Sequence, residues 1–299
     1  MTTEVIRPFR EADIPIADQI PRAAHGVEMS FDSLLNRIRP LTPECWWIME
    51  VDGKPIGVVG ATDFGDFAHI GLMSIEPGGQ MVGTGSRLLQ FALDQLEKKG
   101  FRSITLYSTN AGAAFYPRFG FRWSGLSCEW KLRKRKVLRR DVRVEPSADL
   151  TRIAAFDAPI FGGDRVDLFV ALEREMPGRM FLAEDVNGEC IGFVCAQNNV
   201  IGPFVATTPE VAAALLDAAL DLPFDGAPRV LLPEAHGDGE SLMALAGFEP
   251  LRTSRYFVRG DAPRQQRQKM YVQAAYSLGR WRTASSLAPA FVRVLAYQG

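Results

Sequence analysis

The residues with the clearest chemical potential stand in one turn. Gln80-Met81-Val82-Gly83-Thr84-Gly85-Ser86-Arg87 follows an apolar segment and runs into Leu88, Leu89, Ala92, Leu93 and Leu96, apolar positions at helical spacing. Backbone N–H groups entering a helix are unpaired and carry the positive end of the helix dipole. Glycines at 83 and 85 let an anion approach them, so the turn suits a phosphate or pyrophosphate. Its pattern, Gln-x-x-Gly-x-Gly, is not GxxxxGK[ST], which argues against a nucleoside triphosphate loop; it follows antiparallel strands, which argues against a dinucleotide fold. Taken alone, it also fits a tight strand-to-helix turn that binds nothing. The cysteines at 45, 128, 190 and 195 form no CxxC pair, and the histidines at 25, 69 and 236 stand at no metal-ligand spacing. Reduced thiols and no metal are expected.

Such a turn needs a scaffold, and residues 1–131 supply one. Residues 4–9 alternate like a strand, and helices are expected from about 10 to 20 and 30 to 39. Three apolar segments follow, 46–51, 56–62 and 69–75, the first two joined by Asp52-Gly53-Lys54, so an antiparallel meander precedes the glycine turn. The long helix ends at Lys98-Lys99-Gly100; then come a strand at 104–107, a short helix at about 111–118 and a strand from Phe121. Residues 142–260 repeat this order in weaker form. Helical sequence runs to about 174, strands cover 180–186, 190–197 and 200–205, a helix covers 209–220, and a strand, a short helix and Gly247-Phe248 lead to a last strand ending near 258. Where the first block has its glycine turn, this one reads Ala206-Thr207-Thr208-Pro209, which cannot present the same cradle of backbone N–H groups. Residues 261–299 read as an amphipathic helical tail docked on the second block.

Composition agrees with two domains. The chain has 299 residues, 47% hydrophobic and 23% charged, enough for two cores and too apolar for a disordered chain. No apolar run reaches the roughly 20 residues of a spanning helix, and the start lacks a basic and apolar leader, so a cytoplasmic protein without a membrane partner is expected. Residues 1–130 carry a net charge of −3, residues 131–140 +7, residues 141–260 −10 and the remainder +5. The basic decamer Lys131 to Arg140 reads as a solvated linker (132–141); with no aromatic side chain interleaved for base stacking, nucleic acid is not expected as a partner.

A second stretch completes the pattern. Ser108-Thr109-Asn110-Ala111-Gly112-Ala113-Ala114-Phe115-Tyr116 ends in a tyrosine, with Gly120-Phe121 four residues later. Strand, Gln80-x-x-Gly83-x-Gly85, long helix, strand, short helix with a tyrosine and Gly-Phe before a last strand together resemble the GNAT superfamily of N-acetyltransferases over residues 4 to about 131. The resemblance implies an α/β (α+β) fold of mixed, mostly antiparallel sheet flanked by helices, and acetyl-coenzyme A as co-substrate with no metal. It places the pyrophosphate on Gln80, Met81, Val82, Gly83, Thr84, Gly85 and Ser86, and the pantetheine arm between splayed strands near Met73 and Ile75, with Thr109, Gly112 and Tyr116 on the far side. Tyr116 takes the place of the general acid that protonates the leaving thiolate. An ammonium must also lose a proton before it attacks; His69 and Asp66 are the candidates carried forward, with Glu76 beside the turn as a further one. Asp63 and Asp66 would draw a cationic amine to the pocket mouth. Trp46 and Trp47 alternate, so at most one is expected in the core, leaving the other for the acceptor.

In the second block, Asp157-Ala158-Pro159-Ile160-Phe161-Gly162-Gly163-Asp164-Arg165 and Ile201-Gly202-Pro203 resemble a GNAT-like C-terminal domain of two-domain bacterial proteins, here a degenerate copy. Asp157 and Arg165 are candidates for contacting the acceptor, or for pairing with each other. The expected activity is acetyl transfer to a primary amine of a small molecule by direct attack in a ternary complex, in a monomer or homodimer. A non-catalytic acyl-coenzyme A or metabolite sensor, and acetylation of a protein lysine or N-terminus, are the alternatives.

Overall fold

The computed structural model describes residues 2–26, 30–79, 83–110, 112–234 and 236–273. In the first half, β1 (Glu4–Pro8), α1 (Ile14–His25) and α2 (Asp32–Ile38) precede a meander of β2 (Trp46–Val51), β3 (Lys54–Asp63) and β4 (Ala68–Ile75). Then come α3 (Thr84–Lys98), β5 (Ser103–Ser108), a 3-10 turn at Tyr116–Phe119 and β6 (Arg122–Leu132). The second half holds β7 (Val144–Pro146), α4 (Leu150–Phe161), α5 (Val166–Glu175), β8 (Met180–Glu184), β9 (Cys190–Ala196) and β10 (Ile201–Ala206). It ends with α6 (Pro209–Ala219), β11 (Arg229–Pro233), α7 (Gly239–Ala246), β12 (Phe248–Gly260) and β13 (Met270–Val272).

The halves exchange a strand. One sheet runs β1-β2-β3-β4-β5-β12-β6-β11, the other β13-β10-β9-β8-β7. β12, from the end of the second half, pairs antiparallel with β5 from Arg255↔Ser108 to Gly260↔Ser103 and on its other side with β6. β6 in turn pairs with β11. The only parallel pair among the ladders of named strands is β4 with β5.

Helices cover both faces of the first sheet, so the expectation that only one of Trp46 and Trp47 reaches the core is overturned. Trp46 packs among Ala17, Ile20 and Leu35 of α1 and α2, and Trp47 among Leu88, Leu89 and Leu93 of α3. Neither is left for a ligand. The core beneath α1 and α2 continues into the second half, where Phe161 meets Phe64 and Phe67 at 5.0 and 5.3 Å. Gly163 permits this approach: a Cβ there would stand 2.6 Å from the Phe64 carbonyl oxygen.

Two further expectations are corrected. The basic linker is not a free solvated connection: Arg135 and Arg140 both meet Asp217 and Asp221 of the α6 region, and Arg133 meets Glu249. The acidic excess of the second half supplies the partners that solvent was expected to supply. The segment from 261 is not helical throughout, because Met270, Tyr271 and Val272 form buried β13. The rest of the expected tail helix, from 274, lies outside the described residues.

Candidate active site

The parallel pair β4–β5 is short. It spans Ala68↔Ile104, His69↔Thr105 and Ile70↔Leu106, while β4 continues to Ile75 and β5 to Ser108. The register of β3 on β4 also shifts there, from Ala61↔Ile70 to Gly60↔Leu72, leaving Gly71 as the extra residue of a bulge that re-aims the strand. Beyond Ile70, β4 keeps its ladder with β3 but has no strand on its β5 side among the described residues. This is a V-shaped notch with its crotch at Ile70 and Leu106.

At the open end of the notch stands the start of α3. Gly83 adopts φ +86°, a left-handed conformation that costs any residue with a side chain, and a Cβ would also sit 2.9 Å from Nη1 of Arg87. Thr84 is buried, and the Cα hydrogen of Gly85 faces Met73, Ile75 and Phe115. Gln80, Met81 and Val82 lie outside the described residues. Glu76 pairs with Lys54 at 2.6 Å and Arg87 with Glu4 at 2.6 Å. Across the notch, Ser108 donates to the Thr109 carbonyl and the Gly112 N–H reaches Thr109 Oγ1 at 3.3 Å, closing a tight turn after β5. Tyr116 follows. Its ring packs against Phe115, Phe121 and Phe257, burial pushes its hydroxyl up to about 12, and that hydroxyl has no hydrogen-bond partner among the described residues. It is a protonated donor without an acceptor among the described residues.

The comparisons with known proteins agree with this geometry. The model of the Acetyltransferase (GNAT) family matches residues 15–121, and that of an Acetyltransferase (GNAT) domain matches residues 153–272. The chain belongs to the GNAT acetyltransferase family. It is an acetyltransferase with two GNAT domains in tandem. The uncharacterized N-acetyltransferase YitH of Bacillus subtilis is 26% identical over 206 residues, 66% of this chain and 72% of that one. The crystal structure of a putative acetyltransferase from Pyrococcus horikoshii covers 92% of this chain and 95% of its own, at a TM-score of 0.81 and 22% identity. A tandem GNAT protein from the clavulanic acid biosynthesis pathway covers 88% and 99%, at 0.60 and 13%.

Within this GNAT frame the remaining candidates separate. His69 is buried at the closed end of the notch, its Nδ1 2.9 Å from Thr105 Oγ1 and its ring 5.8 Å from that of Tyr107. Burial lowers its pKa to about 4, so it is neutral at pH 7 and too weak a base to hold a proton taken from an ammonium. Asp63, the last residue of β3, and Asp66, in the β3–β4 loop, are exposed, with Asp63 Oδ1 accepting the Gly65 N–H at 2.7 Å. Asp66 lies before the start of β4, past the closed Ala68↔Ile104 end of the parallel pair. The fold brings neither aspartate to the notch.

Asp157 and Arg165 do not face an acceptor. Their side chains are 1% and 0% exposed and form a bidentate pair at 2.5 and 2.7 Å; Arg165 also donates to the Gln273 carbonyl and lies 3.9 Å over the Phe161 ring. They fasten α4 and α5 to the closing segment. Sequence reading missed three groups that do flank the notch. His25 ends α1 with Nε2 3.3 Å from Ser74 Oγ on β4, a position that helix periodicity alone would place against the sheet. Tyr107 is the first β5 residue past the crotch, and its hydroxyl donates to Gln273 Oε1 at 2.5 Å. Gln273 comes from 166 residues away, and no local pattern signals it.

The second GNAT domain has the corresponding strands differently filled. Val200 and Arg229 form an isolated parallel bridge at the base of β10 and β11, and β10 also shifts register, between Ile201 and Phe204. β13 lies against both strands, paired with β10 through Phe204↔Val272 and Val205↔Met270. Tyr271 stacks on Phe204 at 4.8 Å, and a Cβ on Gly202 would meet Val272 Cγ1 at 2.4 Å. At the start of α6, Thr208 accepts the Val211 N–H and Glu210 adds a negative charge. Among the described residues, no group of three or more His, Cys, Asp or Glu could hold a metal.

Proposed function

We propose that the chain transfers the acetyl group of acetyl-coenzyme A to a primary amine of a small molecule, by direct attack in a ternary complex within the first domain. The observation that carries this reading is the notch itself: a parallel pair that stops at Ile70 and Leu106, with a helix start on Gly83 at its open end. An extended pantetheine arm pairs with the free edge of β4 as a missing strand would, and the helix start stabilises the pyrophosphate. The second domain supplies the acceptor side and binds no coenzyme A, because its own β13 lies where the arm would lie and Thr208 and Glu210 satisfy its helix start.

The chemistry follows from these groups. The amine nitrogen forms the new C–N bond at the thioester carbonyl, and a backbone N–H of β4 beyond the bulge stabilises the developing oxyanion. Collapse breaks the C–S bond. Tyr116, at about 12, lies some 3 to 4 units above an ordinary thiol near 8.5. It therefore stabilises the leaving sulfur by hydrogen bonding, while the proton that the sulfur finally keeps comes from the amine through solvent. The test is release of free thiol from acetyl-coenzyme A over a panel of primary amines. Amine-dependent release by the wild type, much reduced in Tyr116→Phe, is expected; thiol release unchanged by that substitution would remove Tyr116 from the mechanism. Tight binding with no amine-dependent release would favour a sensor.

A further inference from the structure

A guanidinium with no carboxylate partner among the described residues lies one bridging side chain away from Tyr107, the first β5 residue past the crotch. Arg267, half-buried just before β13, lies 4.5 Å over the Tyr256 ring. Its Nη1 donates to Gln273 Oε1 at 2.8 Å, the same oxygen that receives the Tyr107 hydroxyl at 2.5 Å. Guanidinium and hydroxyl are therefore neighbours across one atom. The other contacts of Arg267 are long and neutral, to the Leu126 carbonyl at 3.4 Å and Ser127 Oγ at 3.5 Å. Other buried and half-buried arginines of this region are neutralised: Arg165 by Asp157, and Arg229 and Arg252 by Glu129.

Gln273 is held so that this arrangement persists. Its Oε1 takes two donors, its Nε2 donates to Gln265 Oε1 at 3.0 Å, and its carbonyl receives Arg165. With its proton directed at Gln273, the Tyr107 hydroxyl keeps its lone pairs for accepting, on the first β5 residue past the crotch. The face around it holds His69, Thr105, Tyr256 and the amides of Gln265 and Gln273, with Asp157 already taken by Arg165.

A guanidinium has five N–H donors, and the contacts above leave Nε and one N–H of Nη1 for an anion, with the two long Nη2 contacts the weakest to exchange. The same charge repels a second cation and favours the uncharged form of an amine nearby, the form that attacks. We propose that the acceptor is an amine that also carries a carboxylate, and that Arg267 reads that carboxylate while Tyr107, oriented by Gln273, accepts a hydrogen bond from the amine. This rests on the transferase reading above.

Matched pairs test it: alanine and ethylamine, tyrosine and tyramine, lysine and cadaverine, each assayed for thiol release from acetyl-coenzyme A by the full chain. The amino acid should exceed its decarboxylated partner by at least tenfold in kcat/KM. Arg267→Gln should bring the ratio to within about twofold by raising KM for the amino acid, and Arg267→Lys should restore part of it. Calorimetry should show acetyl-coenzyme A affinity unchanged in both variants, which also establishes that they are folded. Equal or better use of the decarboxylated amines, a preference that survives Arg267→Gln, or no turnover of any of the six by protein that binds acetyl-coenzyme A would overturn the proposal. Failure of the wild type to bind acetyl-coenzyme A would instead overturn the transferase reading beneath it.

Discussion

Tyr116 separates catalysis from packing, because its ring is held by three phenylalanines while its hydroxyl makes no bond within the described protein. Tyr116→Phe should leave the melting temperature and acetyl-coenzyme A affinity unchanged and lower kcat by about 100-fold, the usual cost of losing one transition-state hydrogen-bond donor, read by thiol release. A second residue-scale prediction concerns His69. Unfolding returns its pKa from about 4 to about 6.5, so between those values the unfolded chain binds a proton that the folded chain refuses. Its contribution is complete above pH 6.5 and is lost as the pH falls towards 4. Between pH 7 and 4.5, His69→Gln should lose about 2 kcal/mol less stability than wild type, measured by urea unfolding; equal losses would contradict the assignment. At this scale, local geometry was legible in sequence where it depends on neighbours along the chain: Gly83 and Gly85 before a helix, Tyr116 in a short turn before Gly-Phe. Asp157 and Arg165 stayed open between an acceptor contact and a mutual pair, because a charged pair in a glycine loop looks the same whether it meets a ligand or itself. What decides it is Phe161 beneath the guanidinium and Gln273 beyond it, contacts set only by the folded chain.

Among the elements, the notch and its filled counterpart differ by one three-residue strand. β13 is too short to show alternation, and Tyr271 and Val272 fit a helical stripe as well as a strand, so periodicity assigned them to the tail helix. Gly202 marks the strand in retrospect, since only a residue without a side chain lets Val272 approach so closely. Gly202→Val should therefore destabilise the chain by about 3 kcal/mol through overpacking against β13. Urea unfolding that matched wild type would show that β13 does not press on β10. Order and type of the longer elements were readable from apolar spacing and turn residues. Their partners were not, because β6 and β12 each follow a Gly-Phe or end of short helix and alternate alike, and nothing local states which of them lies beside β5.

Across the whole molecule, that choice makes the two GNAT domains interdependent. Residues 1–140 alone would lack β12 beside β5 and both sheet neighbours of β6. Such a fragment should not fold by itself, and co-expression with residues 141–299 should restore a single cooperative transition seen by circular dichroism; an independently folded fragment would contradict the strand exchange. The acidic second half holds the basic linker by the same logic, with Arg135 and Arg140 on Asp217 and Asp221. Two GNAT domains with a similar order of elements thus meet as one open notch and one closed by its own chain. Calorimetric titration of the full chain with acetyl-coenzyme A tests this most directly. One equivalent should bind, and binding should be abolished in Gly83→Trp while the variant stays folded; no binding by folded wild type, or two equivalents, would contradict a single open notch.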